Sequence, residues 1–139
     1  MPSFKIFDVA GSGMSAQSVR LNTVASNLAN ADSISGDPSK VYKARHPIFE
    51  AVKNQMAQTS GDPNAAVKVK NIMESQAAPT ARYEPGNPLA NEEGYVYSPN
   101  VNVVEEMVDM ISASRAYQNN VEVMNTSKDL MLATLKLGQ

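Results

Sequence analysis

Cysteine and tryptophan are absent from this sequence of 139 residues, and histidine occurs once. A chain without cysteine forms no disulfide, thiolate metal site or cysteine nucleophile, and it is compatible with a reducing or an oxidising compartment. The one histidine, His46, has no second histidine or cysteine with which to share a metal, and an acid–base site also needs a convergent partner. We therefore predict a structural role for His46, and we expect neither a metal nor a cofactor.

Strong net charge and long apolar runs are also missing. The formal net charge is -2, and lysine and arginine are scattered singly, so the sequence lacks the basic patch that nucleic-acid binding requires. No apolar run approaches the ~20 residues of a membrane-spanning helix. Asp8 interrupts what would have to be the core of a signal peptide. We expect no nucleic-acid partner, no membrane insertion and no cleaved signal.

Catalytic and phosphate-binding motifs are incomplete. The Gly11-Ser12-Gly13 stretch follows no predicted strand and precedes no Gly-Lys-Ser/Thr, so it does not make a phosphate-binding loop. Adjacent carboxylates point to different faces, so Glu92-Glu93 is interpreted as a solvated turn and Glu105-Glu106 as favourable charge near a helix N-terminus. The sequence therefore predicts a protein that is not an enzyme. A hydrolase built on His46 and a nearby carboxylate is the remaining catalytic hypothesis, and full function after His46→Ala would exclude it.

The start of the chain carries a heptad pattern. Seven positions step by three and four residues, and all but one are apolar or small: Phe7, Ala10, Met14, Gln17, Leu21, Val24 and Leu28. This spacing predicts an α-helix over residues 4–29 with one face turned toward a partner helix. Ser3 is the predicted N-cap, and Asn30 is expected to take the left-handed conformation that ends many helices.

The end of the chain repeats the pattern. The stepped positions are Met107, Met110, Ser114, Tyr117, Val121, Met124, Lys128, Met131 and Leu135, of which only Ser114 and Lys128 break the apolar character. They predict a second helix over residues 103–137. Asn102 is its predicted N-cap with Glu105 as a capping-box partner, and Gly138 stands just past its last periodic residue.

Glycine and proline punctuate the middle of the chain too often for long helices. Alternating, β-branched and aromatic residues predict strands within residues 40–52, 67–73, 80–84 and 94–98. Residues 55–66 have little to bury, and we expect them to be mobile. The predicted fold is mainly α with a small β insert: a core helix in residues 1–30, an irregular and β insert in 31–100, and a core helix in 101–139. We expect the two helices to pair as an antiparallel coiled coil.

The predicted helices carry more apolar surface than they can cover for each other. The second helix has another apolar set at Val104, Val108, Ile111, Val123, Leu130, Leu132 and Leu137. Either the insert or neighbouring subunits must cover it, and a subunit interface that does not close on itself generates a helical polymer. Asn, Ser, Thr and Gly lower helix propensity, so we expect the first helix to be marginal alone and to gain its order from packing.

We expect assembly contacts, including hydrogen bonds from asparagine side chains to other subunits, at both patterned helices. The predicted interface residues are Phe7, Met14, Leu21, Val24, Asn27, Leu28, Asn30, Met107, Met110, Ile111, Tyr117, Val121, Met124, Met131 and Leu135.

Both ends of the chain resemble a known family. LNTVASNLANADS at residues 21–33 resembles the N-terminal signature of bacterial flagellar rod and hook proteins, and residues 83–139 resemble the C-terminal signature of its proximal-rod members. EPGNPLA and SRAYQNNVEV are the specific parts, whereas SNLANA alone marks the wider group. Residues 52–78 carry no family-wide signature.

The resemblance implies a structural protein that is exported unfolded through the flagellar type III pathway without signal cleavage. It also implies polymerisation through the terminal helices into the periplasmic drive shaft around the export channel. The implied partners are other copies, the other rod proteins, and the basal-body protein that joins the rod to the inner-membrane ring. The alternative hypothesis is a soluble helical-hairpin adaptor or export chaperone, which would stay in the cytosol in a discrete complex instead of appearing in basal bodies.

Overall fold

The computed structural model describes residues 2–53 and 65–137. In this part of the chain one long helix precedes four strands and a second long helix follows them. In chain order the elements are α1 (Pro2–Ala29), β1 (Arg45–Lys53), β2 (Ala65–Glu74), β3 (Thr80–Tyr83), β4 (Tyr95–Ser98) and α2 (Val103–Leu137). The bounds of α2 are those predicted, and each predicted strand segment contains or overlaps an observed strand. The fold is therefore mainly helical with a β insert. Most of the segment expected to be mobile lies outside the described residues, and its last two residues begin β2.

Helix α1 differs from the prediction at both ends. It begins at Pro2, so Ser3 lies inside the first turn and is not the N-cap. The helix ends at Ala29, and no non-glycine residue of the described chain has a positive φ, so the predicted left-handed conformation of Asn30 is wrong. Instead, the Asn30 side chain donates from Nδ2 to the carbonyl oxygen of Ser26 at 2.8 Å. This bond satisfies a terminal carbonyl without any change of backbone handedness.

Helix α2 starts at the predicted cap. Asn102 Oδ1 accepts the backbone N–H groups of Val104 at 3.1 Å and Glu105 at 3.4 Å. The carbonyl oxygen of Asn102 accepts the first helical hydrogen bond, from the Glu106 N–H at 3.0 Å. Asn102 therefore performs both functions of an N-cap residue, as predicted.

The β insert consists of two antiparallel pairs. Strands β1 and β2 form a hairpin that runs from the Arg45–Glu74 pair to the Lys53–Ala65 pair, with a bulge that leaves Lys70 as the extra residue. Strands β3 and β4 pair separately. On the outer side of β4, Ser35 exchanges backbone hydrogen bonds of 2.8 and 3.1 Å with Tyr97. This bridge connects the end of α1 to the second strand pair.

The two helices pack against each other in opposite directions. The Asn27 side chain bonds Glu106, Arg20 bonds Asp109, and Gly13 lies against Asn120. Residues later in α1 therefore contact residues earlier in α2, which makes the pair antiparallel. The hairpin packs on a different side of α1, where the Val67 N–H donates to Ser12 Oγ at 3.1 Å. The buried apolar residues are small: Ala10, Ala16, Val24, Val41, Ala44, Val96 and Ala113. Neither described helix has the length and apolar character to cross a membrane.

Candidate assembly surface

The contact between α1 and α2 uses part of the predicted stripe of α1 together with residues one position before its other members. Four residues of α1 that recur every seven positions face α2: Ile6, Gly13, Arg20 and Asn27. Gly13 lies against Asn120, Arg20 bonds Asp109 and Asn27 bonds Glu106, while Ile6 lines a cleft with Ser127. The predicted stripe of α1 includes Ala10 and Val24, which are buried, and Phe7, Met14, Leu21 and Leu28, which are half-buried beside the contact.

The predicted interface residues consequently lie at different depths. Val24 and Asn27 are buried within the chain. Half-buried are Phe7, Met14, Leu21, Leu28, Asn30, Met110, Val121, Met124 and Met131. Exposed are Met107, Ile111, Tyr117 and Leu135. The larger apolar side chains thus flank the helix contact and retain surface, while small and polar side chains fill it.

Asn27 is the centre of a buried hydrogen-bond cluster and has no exposed surface. Its Nδ2 donates to Glu106 Oε1 and to the Arg45 carbonyl oxygen, each at 2.9 Å. Its Oδ1 accepts the Arg45 N–H and the Tyr42 hydroxyl, also at 2.9 Å. All four hydrogen-bonding positions of the amide are therefore used inside the chain. The expectation that Asn27 contacts another subunit is corrected to an internal role, in which it joins α1, α2 and the base of the hairpin.

Glu106 supplies the α2 end of this cluster and is only 5% exposed. Its Oε2 is buried and finds no hydrogen-bond partner among the described residues. Burial raises the pKa of the Glu106 carboxyl, while the Asn27 hydrogen bond and the charge of His46 act in the opposite direction. Glu106 lies in the first turn of α2, as the sequence predicts, and its burial against α1 is what the sequence did not indicate. The sequence signal that could have identified Glu106 is its spacing, because Glu106, Ala113 and Asn120 are seven positions apart and so lie on one face of α2.

Two further contacts define the same helix face. Arg20 donates from a guanidinium nitrogen to Asp109 Oδ1 at 2.7 Å, and both side chains remain partly exposed. At Gly13 a Cβ atom would lie 2.9 Å from Asn120 Nδ2, so glycine allows the two helices to approach closely there. This contact explains why glycine occupies position 13, in the Gly11-Ser12-Gly13 stretch that does not make a phosphate-binding loop.

An uncovered apolar patch lies at the start of α2. We define the patch as Val104, Val108 and Ile111, which are 70%, 61% and 56% exposed. At about 100° per residue these three share one side of the helix, roughly opposite Glu106 and Ala113, which face α1. No described residue of the β insert covers them. The other residues of the second apolar set, Val123, Leu130, Leu132 and Leu137, are exposed as well.

The described residues contain no cluster of three or more side chains that could hold a metal ion. Comparison with known proteins gives matches at both ends of the chain. Residues 7–33 match the family model described as "Flagella basal body rod protein", and residues 92–137 match "Flagellar basal body rod FlgEFG protein C-terminal". These two segments contain Asn27 and Glu106 respectively, so both partners of the buried hydrogen bond lie in matched sequence.

Full-length relatives agree with the family matches. The chain is 54% identical to the flagellar basal-body rod protein FlgC of Escherichia coli O157:H7 and 52% identical to that of Salmonella typhimurium strain LT2, over the whole of each chain. It is 35% identical to FlgC of Bacillus subtilis strain 168, again over the whole of both chains. The chain belongs to the FlgC family of flagellar basal-body rod proteins. FlgC membership places it in the flagellar basal body as a structural subunit of the rod.

The FlgC-type sequence signatures have local structural functions. In the EPGNPLA stretch, Glu84 accepts from the Asn87 side chain at 3.0 Å, and Asn87 in turn accepts the Leu89 N–H at 3.0 Å. Gly94, which follows this stretch, has φ of +81°, and a Cβ there would lie 2.9 Å from the Tyr83 ring. The signature therefore encodes the turn between β3 and β4. In the second signature, Asn120 provides the close contact with Gly13.

Proposed function

We propose that this rod protein assembles by covering the exposed apolar surface of α2 with neighbouring rod subunits. The observation that carries the proposal is the patch of Val104, Val108 and Ile111, which neither α1 nor the described part of the β insert covers. A contiguous apolar patch of this kind is typical of a protein interface. Because the patch differs from the surface it would contact, repeated association builds a polymer and not a closed dimer.

The energies involved favour several contacts for each subunit. Complete burial of a Val- or Ile-sized side chain contributes about 1.5–3 kcal/mol relative to its exposed state. Association costs roughly 4–15 kcal/mol in lost translational and rotational freedom, before any ordering of side chains. Burial of three such side chains therefore gives a free energy similar to the cost of association and leaves little net affinity. We infer that each subunit contacts more than one neighbour, as in the wall of a tube.

The half-buried apolar residues beside the α1–α2 contact provide further surface. Phe7, Met14, Leu21 and Leu28 lie one residue from the positions that face α2, and each retains partial exposure. We propose that these residues, together with the other predicted interface residues except Asn27, complete coiled-coil packing with helices of adjacent subunits. In this arrangement residues 1–30 and 101–139 form the wall around the export channel, and residues 31–100 lie outside it.

The proposal assigns the protein no catalysis and no cofactor. It acts as a structural part of the periplasmic drive shaft after export in an unfolded state through the flagellar type III pathway, without signal cleavage. Its partners are further copies, the other rod proteins and the basal-body protein that joins the rod to the inner-membrane ring.

The proposed function is tested by locating the protein in cells. A strain that lacks the gene and carries an epitope-tagged copy should swim, and purified basal bodies should contain the tagged chain. A swimming strain in which the tagged chain stays in the cytosol, in a discrete complex with another helical protein, would instead support the adaptor hypothesis.

A further inference from the structure

An open groove separates α1 from the β1–β2 hairpin. Its volume is about 460 Å³, and its apolar lining residues are Val19 of α1 and Ile72 of β2. Polar side chains of α1, among them Ser26, also line it. Within the lining, Arg45 donates to Glu74 Oε1 at 3.0 and 3.2 Å. The groove thus combines apolar with charged and polar side chains, as protein-binding sites commonly do.

We propose that the groove binds the apolar patch at the start of α2 from a second copy of this chain. The lengths of the two surfaces agree: the α1 wall runs from Val19 to Ser26 and the patch from Val104 to Ile111. Each spans seven residue steps, or about 10 Å at the α-helical rise of 1.5 Å per residue. The exposed side chain of Ile72 then meets the exposed side chains of the patch.

The charges flanking the two surfaces are complementary. Arg115 continues the line of the patch, four residues beyond Ile111, and its side chain is exposed. Among the described residues no carboxylate pairs with Arg115. On the groove, both Arg45 nitrogens donate to Oε1 of Glu74, which leaves Oε2 for a second guanidinium. The side chain of Glu74 is 48% exposed and therefore accessible to Arg115 of another copy.

The two surfaces lie on different parts of the molecule. The patch is on the side of α2 that faces away from α1, and the groove is on the side of α1 that faces the hairpin. A contact between them is heterologous, so each copy still offers an unused patch and an unused groove after it binds. The inference deepens the proposed function and rests on it, because it identifies which surface of one copy meets which surface of the next.

Cysteine cross-linking tests the contact, because the natural chain has no cysteine. Two differently tagged forms, one with Ile72→Cys and the other with Val108→Cys, are expressed together, and basal bodies are purified after mild oxidation. Packed helices lie about 8–10 Å apart, so these two positions in one copy are separated beyond the ~7 Å limit between the Cα atoms of a disulfide. A disulfide between them therefore reports a contact between copies. The matched control replaces Ile72→Cys by Leu89→Cys, which is exposed outside the groove.

We expect a disulfide-linked species of twice the monomer mass that carries both tags and disappears on reduction. This species should not form when Leu89→Cys replaces Ile72→Cys. Two results would overturn the inference: both forms present in basal bodies without the species, or equal cross-linking in the control. In each of these results the chain is in the basal body, so the proposed function stands while the assigned contact fails. Absence of both forms from basal bodies of swimming cells would contradict the proposed function and, with it, this inference.

Discussion

At the scale of single residues, the asparagine-rich sequence of α1 is explained in part by Asn27. An amide side chain offers two donor and two acceptor positions, and the structure uses all four at a fully buried site. Buried polar groups are stabilising only when they are hydrogen-bonded, so this arrangement depends on all partners being in place. Asparagine has a low helix propensity, so Asn27 stabilises the fold by joining α1 to α2 and to the base of the hairpin.

The first prediction concerns Asn27→Ala. The substitution leaves the Arg45 N–H and the Glu106 carboxylate without their buried partner, so we expect the free energy of unfolding to fall by roughly 3 kcal/mol. Urea denaturation of the purified chain measures the change. The matched control is Asn22→Ala, an exposed position of the same helix, which should be neutral or slightly stabilising because alanine favours helix. Equal effects of the two substitutions would show that the cluster has no special role.

Glu106 makes the stability of the chain dependent on pH. Because burial raises the pKa of this carboxyl in the folded state above its ordinary value, the folded chain holds the proton more tightly than the unfolded chain. The contribution to stability is greatest below the unfolded pKa. It falls as the pH rises from the unfolded to the folded pKa, and it stays low above both. The other titratable groups that act on Glu106 are His46, Asp109 and Glu105.

The second prediction follows from this sign. Glu106→Gln removes the ionisable group and keeps an acceptor for Asn27, so we expect stability at pH 7 to rise by about 1 kcal/mol. We also expect a weaker decline of stability between mildly acidic and neutral pH. Urea denaturation at both pH values measures the effect, with Glu122→Gln as the exposed control on the same helix. A lower stability of Glu106→Gln at pH 7 would show that the ionised carboxylate is needed.

At the scale of the elements, most of the fold could be predicted and the helix contact could not. Turn residues and alternation located the strands, and Asn102 with the heptad pattern gave the exact bounds of α2. The same heptad pattern correctly gave Val24 as a buried position, but it placed Leu21 and Leu28 in the contact where the structure uses Arg20 and Asn27. An apolar stripe identifies a surface that needs a partner, but it does not say whether the partner is in the same chain or in another subunit. In a chain that polymerises, the more polar of two adjacent stripes can be the internal one.

The third prediction is a gradient of stability along the helix pair. The buried cluster holds the end with Asn27 and Glu106, whereas open clefts of about 130 and 140 Å³ lie beside the helices near Ile6. Unfilled space lowers local packing energy. Amide hydrogen exchange on the dilute chain should therefore be slowest in residues 20–27 and 106–113 and fastest in residues 6–13 and 127–137. Uniform protection along α1 would contradict this interpretation.

The fourth prediction separates folding from assembly. Val108 is 61% exposed, so Val108→Asp should change the free energy of unfolding of the isolated chain by less than about 0.5 kcal/mol. In the rod, it places a charge in an apolar contact, so we expect the chain to be lost from basal bodies and motility to fall. The control Asn119→Asp introduces the same charge at an exposed site of α2. Normal swimming of cells with Val108→Asp would contradict the assigned surface.

At the scale of the whole molecule, the chain has a packed interior but leaves large apolar side chains exposed on its surface. The interior is made of small residues and a hydrogen-bond cluster that joins α1, α2 and the hairpin. The exterior keeps the larger apolar residues of α2, including Val104 and Leu130, without a cover in the chain. This distribution is the reverse of that in a self-contained domain, where large apolar side chains fill the core. It is the arrangement expected of a subunit that completes its packing in a polymer.

The most direct test of this account is a density map of an intact basal body in which this chain is traced. The account predicts that Val104, Val108 and Ile111 are buried against neighbouring subunits in the rod, with Asn27 and Glu106 still bonded to each other inside each copy. A rod in which these three side chains face solvent, while the subunits contact each other elsewhere, would contradict it.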